Sequence, residues 1–389
     1  GWSSHESGHL VRIPANAGYH TALDGFTVQQ GASYWNDGGY PNPGTGAGIL
    51  VQAGARASIR NNLIRDNISC PNGGGIGVVD SSPVITGNVF TSNIASGQSG
   101  GDSFGGAIAC LRGSPYISGN TFFGNQATEG GAILCQNAEP VISGNEFNSN
   151  LAVNRGGALA MTLSTGSITG NTIRSNTART VGGSAIWLDH SNPVIQNNLV
   201  AGNTNLYGGV SAIHCWNSSP GILNNTIVGN ENAAIRLLNS TSRISNNIVA
   251  SNGGGIWNDG GSAPLLRSNC LYGNTSYNYG GGLGAGAGDI SADPMFLNAG
   301  KGDYRIFYES PCRNAGYYDP IGLPAYDLDG QPRVEGPAVD IGADECWSRI
   351  IHVSQSPSAS DANSGESWAS AKRTIQAAIN AAAPPDRIW

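Results

Sequence analysis

Apolar residues alternate with polar ones over runs of four to six residues, and Gly, Asn, Ser or Pro separates each run from the next. Alternation of that length predicts strands, not helices. The runs are also periodic. Asn-x-apolar-x-x-Asn occurs as Asn62-Leu-Ile64-x-x-Asn67, Asn88-Val-Phe90-x-x-Asn93 and Asn120-Thr-Phe122-x-x-Asn125, then again from Asn145, Asn171, Asn198, Asn225, Asn247 and Asn269. The steps between the first Asn residues are 26, 32, 25, 26, 27, 27, 22 and 22. Two further columns keep step with it. One is Ile49, Ile76, Ile108, Ile133, Leu159, Ile186, Ile213, Ile235 and Ile256; the other is Ile59, Ile85, Ile117, Ile142, Ile168, Ile195, Ile222, Ile244 and Leu266. Leu23-Asp-Gly-Phe-Thr-Val28 reads as an earlier, degenerate copy.

Each repeat thus holds three short strands with no two-residue primed turn between them, so hairpins within a repeat are excluded. The strands can pair only with their equivalents in the next repeat. That predicts an all-β fold, a right-handed parallel β-helix of three sheets and about ten or more coils. At a strand spacing of about 4.8 Å, ten coils make a rod about 45 Å long. A side-chain amide has one acceptor and two donors, so an Asn column repeated at strand spacing predicts a stacked amide ladder. Asn also tolerates the left-handed backbone of tight corners. Gly-Gly pairs before the Ile column read as turns that need positive φ.

Ser114-Pro-Tyr-Ile-Ser-Gly-Asn-Thr-Phe122 and its copies resemble the repeats of the pectin-lyase-like superfamily. The later part is similar to the secreted bacterial β-helix repeat proteins, through Ile290-Ser-Ala-Asp-Pro-Met-Phe296, Ser310-Pro-Cys-Arg-Asn-Ala-Gly316, Asp327-Leu-Asp-Gly-Gln-Pro-Arg333 and Asp340-Ile-Gly-Ala-Asp-Glu345. The resemblance implies an extracellular or cell-surface setting. It covers a group that mixes lyases, hydrolases, adhesins and surface proteins, so it speaks for fold more than for chemistry. Residues 1–295 are expected to form the coils, 296–348 a closing region, and 349–389 a cap-like strand, loop and helix.

That last segment is in an unexpected place. In similar proteins such a string opens the domain. Residues 371–383 read as a helix with Ser370 as N-cap and Pro384 as its stop. Trp368, Ala371, Ile375, Ala378, Ile379 and Ala382 form one apolar stripe, and Trp389 ends the chain. The chain's start reads as a coil already under way, with unpaired edges. Three arrangements follow: a window from a tandem array, an arm that caps the next copy and builds a head-to-tail filament, or an arm that folds back locally.

Composition narrows the function. The net charge is −7 and charged residues make up 12%, with no Lys/Arg cluster, which disfavours nucleic acid as a partner. No apolar run is long enough for a membrane span. Among seven cysteines, Cys110, Cys135 and Cys215 share one inward column and are expected as buried thiols, whereas Cys312 and Cys346 are candidates for a disulfide. His5-Glu-Ser-Gly-His9 matches a zinc-protease motif only formally, because in an extended chain its two histidines lie about 13 Å apart. Gly280–Gly288 reads as a flexible loop and not a phosphate cradle. Asp361, Asn363 and Glu366, like Asp327 and Asp329, resemble half a calcium loop; turn chemistry accounts for them, so no cofactor is expected and calcium is the one candidate.

No carboxylate pair of the kind polysaccharide hydrolysis needs stands out within the coils. One patch does. Trp187, His214, Arg236 and Trp257 share a register next to the inward column, so alternation places them outside, with Asp189, His190, Trp216 and Asp259 nearby. A row of exposed tryptophans suits sugar rings or another protein chain. The expectation is therefore a non-enzymatic structural or adhesive rod whose partners are copies of itself or glycans. A polysaccharide-binding or polysaccharide-degrading enzyme is the alternative.

Overall fold

The computed structural model describes residues 8–33, 45–97, 101–180, 182–208, 211–346, 350–382 and 386–389. His5, Val181, Pro384 and the first Trp lie outside these residues. Three long parallel sheets run the length of the coil stack, with eleven, ten and ten strands. The first runs from Val11–Ile13 to Tyr279–Gly280, the second from Ala22–Asp24 to Leu265–Arg267, the third from Thr27–Gln29 to Cys270–Tyr272. Ile108, Ile133 and Leu159 are in-register neighbours on consecutive levels of the first sheet, and Ile85, Ile117 and Ile142 of the second. These columns are fully buried and make the main core, with Phe90, Phe122 and Phe147 stacked at 4.8 and 4.7 Å between centroids.

Both Asn positions of the repeat form ladders. Asn145 Nδ2 donates to Asn171 Oδ1 at 3.0 Å and to the Ile117 carbonyl at 2.9 Å, while Asn171 Oδ1 also accepts from the Asn145 backbone N–H at 2.9 Å. The same set repeats along Asn62–Asn269 and along Asn67–Asn274, so amides are buried with their valences filled. Asp289 ends the first ladder, accepting from Asn269. The left-handed corner falls one residue earlier than the ladder Asn. Asn61, Ser92, Ser149, Asn197, Asn224 and Asn246 carry it, with φ between 50° and 60° in most cases, for example 57° at Asn246. The Gly-Gly pairs behave as expected. Gly130 has φ 62°, and a Cβ on Gly131 would stand 2.2 Å from the Gly157 carbonyl oxygen of the next coil.

The sequence pattern did not announce a fourth sheet. Seven strands, from Ala32–Ser33 to Thr204–Asn205, stack between the third and first sheets and then stop. They stop where the repeat shortens to 22 residues. Val228 and Ala233 are separated there by a four-residue turn, whereas Ala201 and Ser211 enclose the last fourth-sheet strand.

The Gly-rich stretch is ordered as an end to the stack, where it was expected as a flexible loop. Ala287 and Ile290 bridge to Arg267 and Cys270, and Leu283 packs on the core. The closing region then folds back along the flank. Ile306, Cys312, Ile341 and Cys346 form a second buried cluster with Ala201, Val228, Ile248, Ala250 and Cys270, which face outward from the third sheet. Asn246 exchanges hydrogen bonds with Tyr317, and Ser245 donates to Asp319. The candidate Cys312–Cys346 bridge is not formed: all seven cysteines are thiols, and the sulfur contact of Cys312 is with Cys270.

The described residues of 350–382 and 386–389 pair with one another. Ile350–Ile351 pairs in parallel with Arg387–Ile388, and Val353 bridges to Lys372. The helix is Ile375–Ala381, shorter than 371–383, and Thr374 caps it by accepting from the Ala377 N–H at 3.1 Å. Ser370 instead closes a 3-10 turn with Ser367 as N-cap. The later start has a cause. Ala371 and Lys372 are held extended, with the Lys372 N–H donating to the His352 carbonyl at 2.9 Å and its ammonium to the Asn363 carbonyl at 2.7 Å. Asp361 accepts from the Arg373 and Thr374 N–H groups, so its carboxylate closes the turn before the helix.

Candidate functional site

The first sheet carries the patch, and its outward column is as the register predicts: Trp187, His214, Arg236 and Trp257 are successive neighbours. Their exposure is not as predicted. Trp187 is 4% and His214 5% exposed, so an open row of four is ruled out. From Leu50 on, the outward column before them is also covered: Leu50, Ala109, Leu134 and Ala160 are at most 2% exposed, whereas Arg12 on the first described coil is exposed. Leu134, Ala160 and Trp187 form a separate small core with Phe104 and Leu111. The cover comes from the fourth-sheet side of the coil. Arg155, at the end of strand Leu151–Arg155, lays its guanidinium over the Trp187 ring at 4.8 Å, and Gly182 passes so close that a Cβ would sit 3.0 Å from the ring. Glu129 stands 3.6 Å from Arg155, and burial raises its carboxyl despite that neighbour.

The sequence held a signal for this burial. Ile49-Leu-Val51, Ile108-Ala-Cys-Leu111, Ile133-Leu-Cys135 and Leu159-Ala-Met161 are continuous apolar runs, the mark of a strand buried on both faces. Trp187 and His214 continue that column.

His214 packs against Trp187 with ring centroids 4.7 Å apart and planes tilted by 54°, and among the described residues neither of its ring nitrogens has a hydrogen-bond partner, nor does Trp187 Nε1. Burial, then the Arg236 and Arg155 charges, push its pKa down to about 4, so the ring is neutral near pH 7. Trp216, 6.1 Å from Trp187, is 41% exposed at the edge of the covered zone. Asp189 is its in-register neighbour and pairs with exposed His190 at 2.6 Å.

Beyond Trp216 the cover ends, because the fourth sheet ends. The three-strand coils leave a recess of about 550 Å³ over the first sheet, lined by Arg236, Trp257, Asp259, Glu231 and Tyr277 among others. Trp257 and Tyr277 form an angled aromatic wall, 5.1 Å apart at 51°. Arg236 binds Asp259 through both Nε and a terminal nitrogen, the latter at 3.0 Å, and Trp257 Nε1 donates to the same carboxylate at 2.7 Å. Burial pushes Asp259 up, and those donors outweigh it, so the carboxyl lies below its usual range. Glu231 closes the exposed edge of the fourth sheet, accepting from the Asn205 N–H at 2.9 Å. Tyr277 and Glu231 were missed at the sequence level; they sit in turns, outside the strand columns.

The capping residues divide differently. Ala371 and Ala378 are buried within the C-terminal unit and Ala382 is half-buried. Trp368, Ile375, Ile379 and Trp389 are 52–65% exposed, so the stripe covers nothing in the described residues. Ile375, Ile379, Ile388 and Trp389 instead line an open groove with Val353 and Arg373.

Comparison with known families adds one observation. The model of the right-handed β-helix region matches residues 47–220, the stretch that carries most of the long coils and the first part of both ladders. Its fold is that of a right-handed parallel β-helix. No curated protein matches its sequence. In this β-helix the family match covers the scaffold up to the step and ends before the recess, so the candidate site lies on coils to which the match assigns nothing.

Proposed function

We propose that this β-helix is a non-enzymatic extracellular adhesive rod that holds uncharged saccharide in the recess of its short coils. The observation that carries the reading is the aromatic wall of Trp257 and Tyr277 beside a fixed Arg236–Asp259 pair, at the point where the fourth sheet stops. Aromatic faces stack on the apolar faces of sugar rings, and a locked guanidinium–carboxylate pair offers donors and acceptors to hydroxyls. Arg236 has its charge matched by Asp259, and Glu231 adds a negative charge, so an acidic sugar is disfavoured. Hydrolysis needs a carboxyl that holds a proton near neutral pH, and Asp259 is held in the opposite direction. In a screen of neutral polysaccharides, Trp257→Ala combined with Tyr277→Ala is expected to lose at least tenfold in affinity while the fold persists. Unchanged binding in that variant, or release of new reducing ends by the native protein, would overturn the reading.

A second reading concerns the C-terminal unit. We infer that its exposed face, Trp368, Ile375, Ile379 and Trp389, docks on the first described coil of another copy. There Leu10 and Phe26 are exposed, Val11 and Leu23 are part-buried, and strands Val11–Ile13, Ala22–Asp24 and Thr27–Gln29 are the outermost of their sheets among the described residues. Edge strands accept further strands through their backbone, and apolar contact supplies the rest. Sedimentation of the full chain should show concentration-dependent growth that Ile375→Asp with Ile379→Asp removes. A native protein that stays monomeric across the concentration range contradicts the docking.

A further inference from the structure

All seven cysteines are buried, and they fall into different surroundings. Cys110 and Cys135 are in-register neighbours on adjacent strands of the first sheet and point into the main core, where Cys215 also lies. Equivalent positions on adjacent parallel strands keep to the strand spacing of about 4.8 Å. A disulfide needs its Cβ atoms near 3.8 Å, so the ladder itself holds Cys110 and Cys135 apart.

Cys270 and Cys312 are under no such constraint. Cys270 faces outward from the third sheet, between Ile248 on one level and Ile290 on the next. Cys312 belongs to the closing region that folds over that face. Both join one buried cluster with Ile248, Ile306 and Ile341. The Cys312 thiol donates to the Cys270 sulfur, and Cys270 Sγ donates to the Ala292 carbonyl at 3.2 Å. The Cys312 thiol holds Cys270 below the usual thiol range, and Cys312 is pushed up by that same bond and by burial. Cys346 shares the cluster, but among the described residues the Cys270 and Cys312 thiols face each other and neither has Cys346 as a partner.

We propose that Cys270 and Cys312 are an oxidation site, which a small-molecule disulfide such as oxidised glutathione converts to an intramolecular bond that clamps the closing region to the coil stack. The Cys270 thiol gives its proton to solvent and its thiolate attacks one sulfur of the oxidant. The oxidant's S–S bond breaks and one glutathione leaves as a thiolate. The mixed disulfide left on Cys270 is then attacked by deprotonated Cys312, which expels the second glutathione. Two electrons pass from the cysteine pair to the oxidant, and the two protons end on the two glutathiones. Both side chains are 0% exposed once the closing region is docked, so exchange precedes docking or accompanies its opening.

The full chain is refolded in a mixture of reduced and oxidised glutathione, then denatured, alkylated and digested without reductant. Two of the seven thiols should escape alkylation, and one peptide pair should join Cys270 to Cys312. The cross-link should survive Cys346→Ser and vanish in Cys312→Ser. Protease cleavage within residues 296–346 should slow at least tenfold on oxidation and recover with reductant. Alkylation of all seven thiols, or a cross-link between Cys312 and Cys346, would overturn the proposal. The map of the native chain decides the matter even if Cys312→Ser fails to fold.

Discussion

The four-strand coils before Asn205 and the three-strand coils after Asn225 share one core. The Ile columns, the amide ladders and the stacking register pass from one set to the other without interruption. What changes is the turn between the third and first sheets, which loses its strand. In the first set the outward column of the first sheet is covered from Leu50 to Trp187 and His214; in the second the same column, at Arg236 and Trp257, opens into a recess. The interior therefore sets the position of the recess, and the length of one turn decides whether it opens.

If the core is common to both sets, damage to it should cost the same in each. Asn176 Oδ1 accepts from the N–H and side chain of Asn150, and Asn252 Oδ1 accepts from those of Asn230. Removing either side chain leaves two buried donors without a partner, at about 1–3 kcal/mol each. Asn176→Ala and Asn252→Ala should each lose about 3–5 kcal/mol in urea unfolding. A cost in the short coils less than half that in the long ones would break the claim of a shared interior.

The cover makes a second difference, in pH dependence. The His214 imidazole takes up a proton near 6.5 in the unfolded chain and only near 4 in the fold. Between those values the unfolded state binds more protons. Stability is therefore full above pH 6.5 and falls as the pH drops towards 4, by about 3 kcal/mol for this group. Native and His214→Phe proteins should part in their urea midpoints over that window, the variant showing the shallower acid limb. Parallel curves would mean that the cover over His214 admits water freely.

Much of this was legible in the sequence, and the misses share a cause. The Asn and Ile columns state the coil register outright, because a parallel stack repeats one environment at every level and selects the same residue each time. The amide ladder follows from the valences of Asn. Exposure is another matter, since it depends on what lies above a residue, and that is set by turns whose lengths vary. Alternation put Trp187 and His214 on the correct face, and the fourth-sheet side of the coil then covered them. The apolar outward residues Leu134 and Ala160 carried that information, as Ile248 and Ala250 did for the folded-back closing region. Helix 371–383 was misread for a related reason: periodicity cannot show that Lys372 is claimed by a strand pairing with Val353.

The smallest effect on stability belongs to the sharpest test of the comparison. Five residues inserted between Gly229 and Asn232 would restore the 27-residue step and give the coil room for an eighth fourth-sheet strand. Asn205 would then pair with backbone, releasing Glu231 from its place on the sheet edge. Lengthening a surface turn by a few residues costs little in closure entropy, so the unfolding midpoint should move by less than about 1 kcal/mol. Saccharide affinity, by contrast, should fall at least tenfold, because the new strand and its turn would lie over Arg236 as Arg155 lies over Trp187. Binding that survives the insertion would separate the recess from the step in coil length and leave the turn without the role given to it.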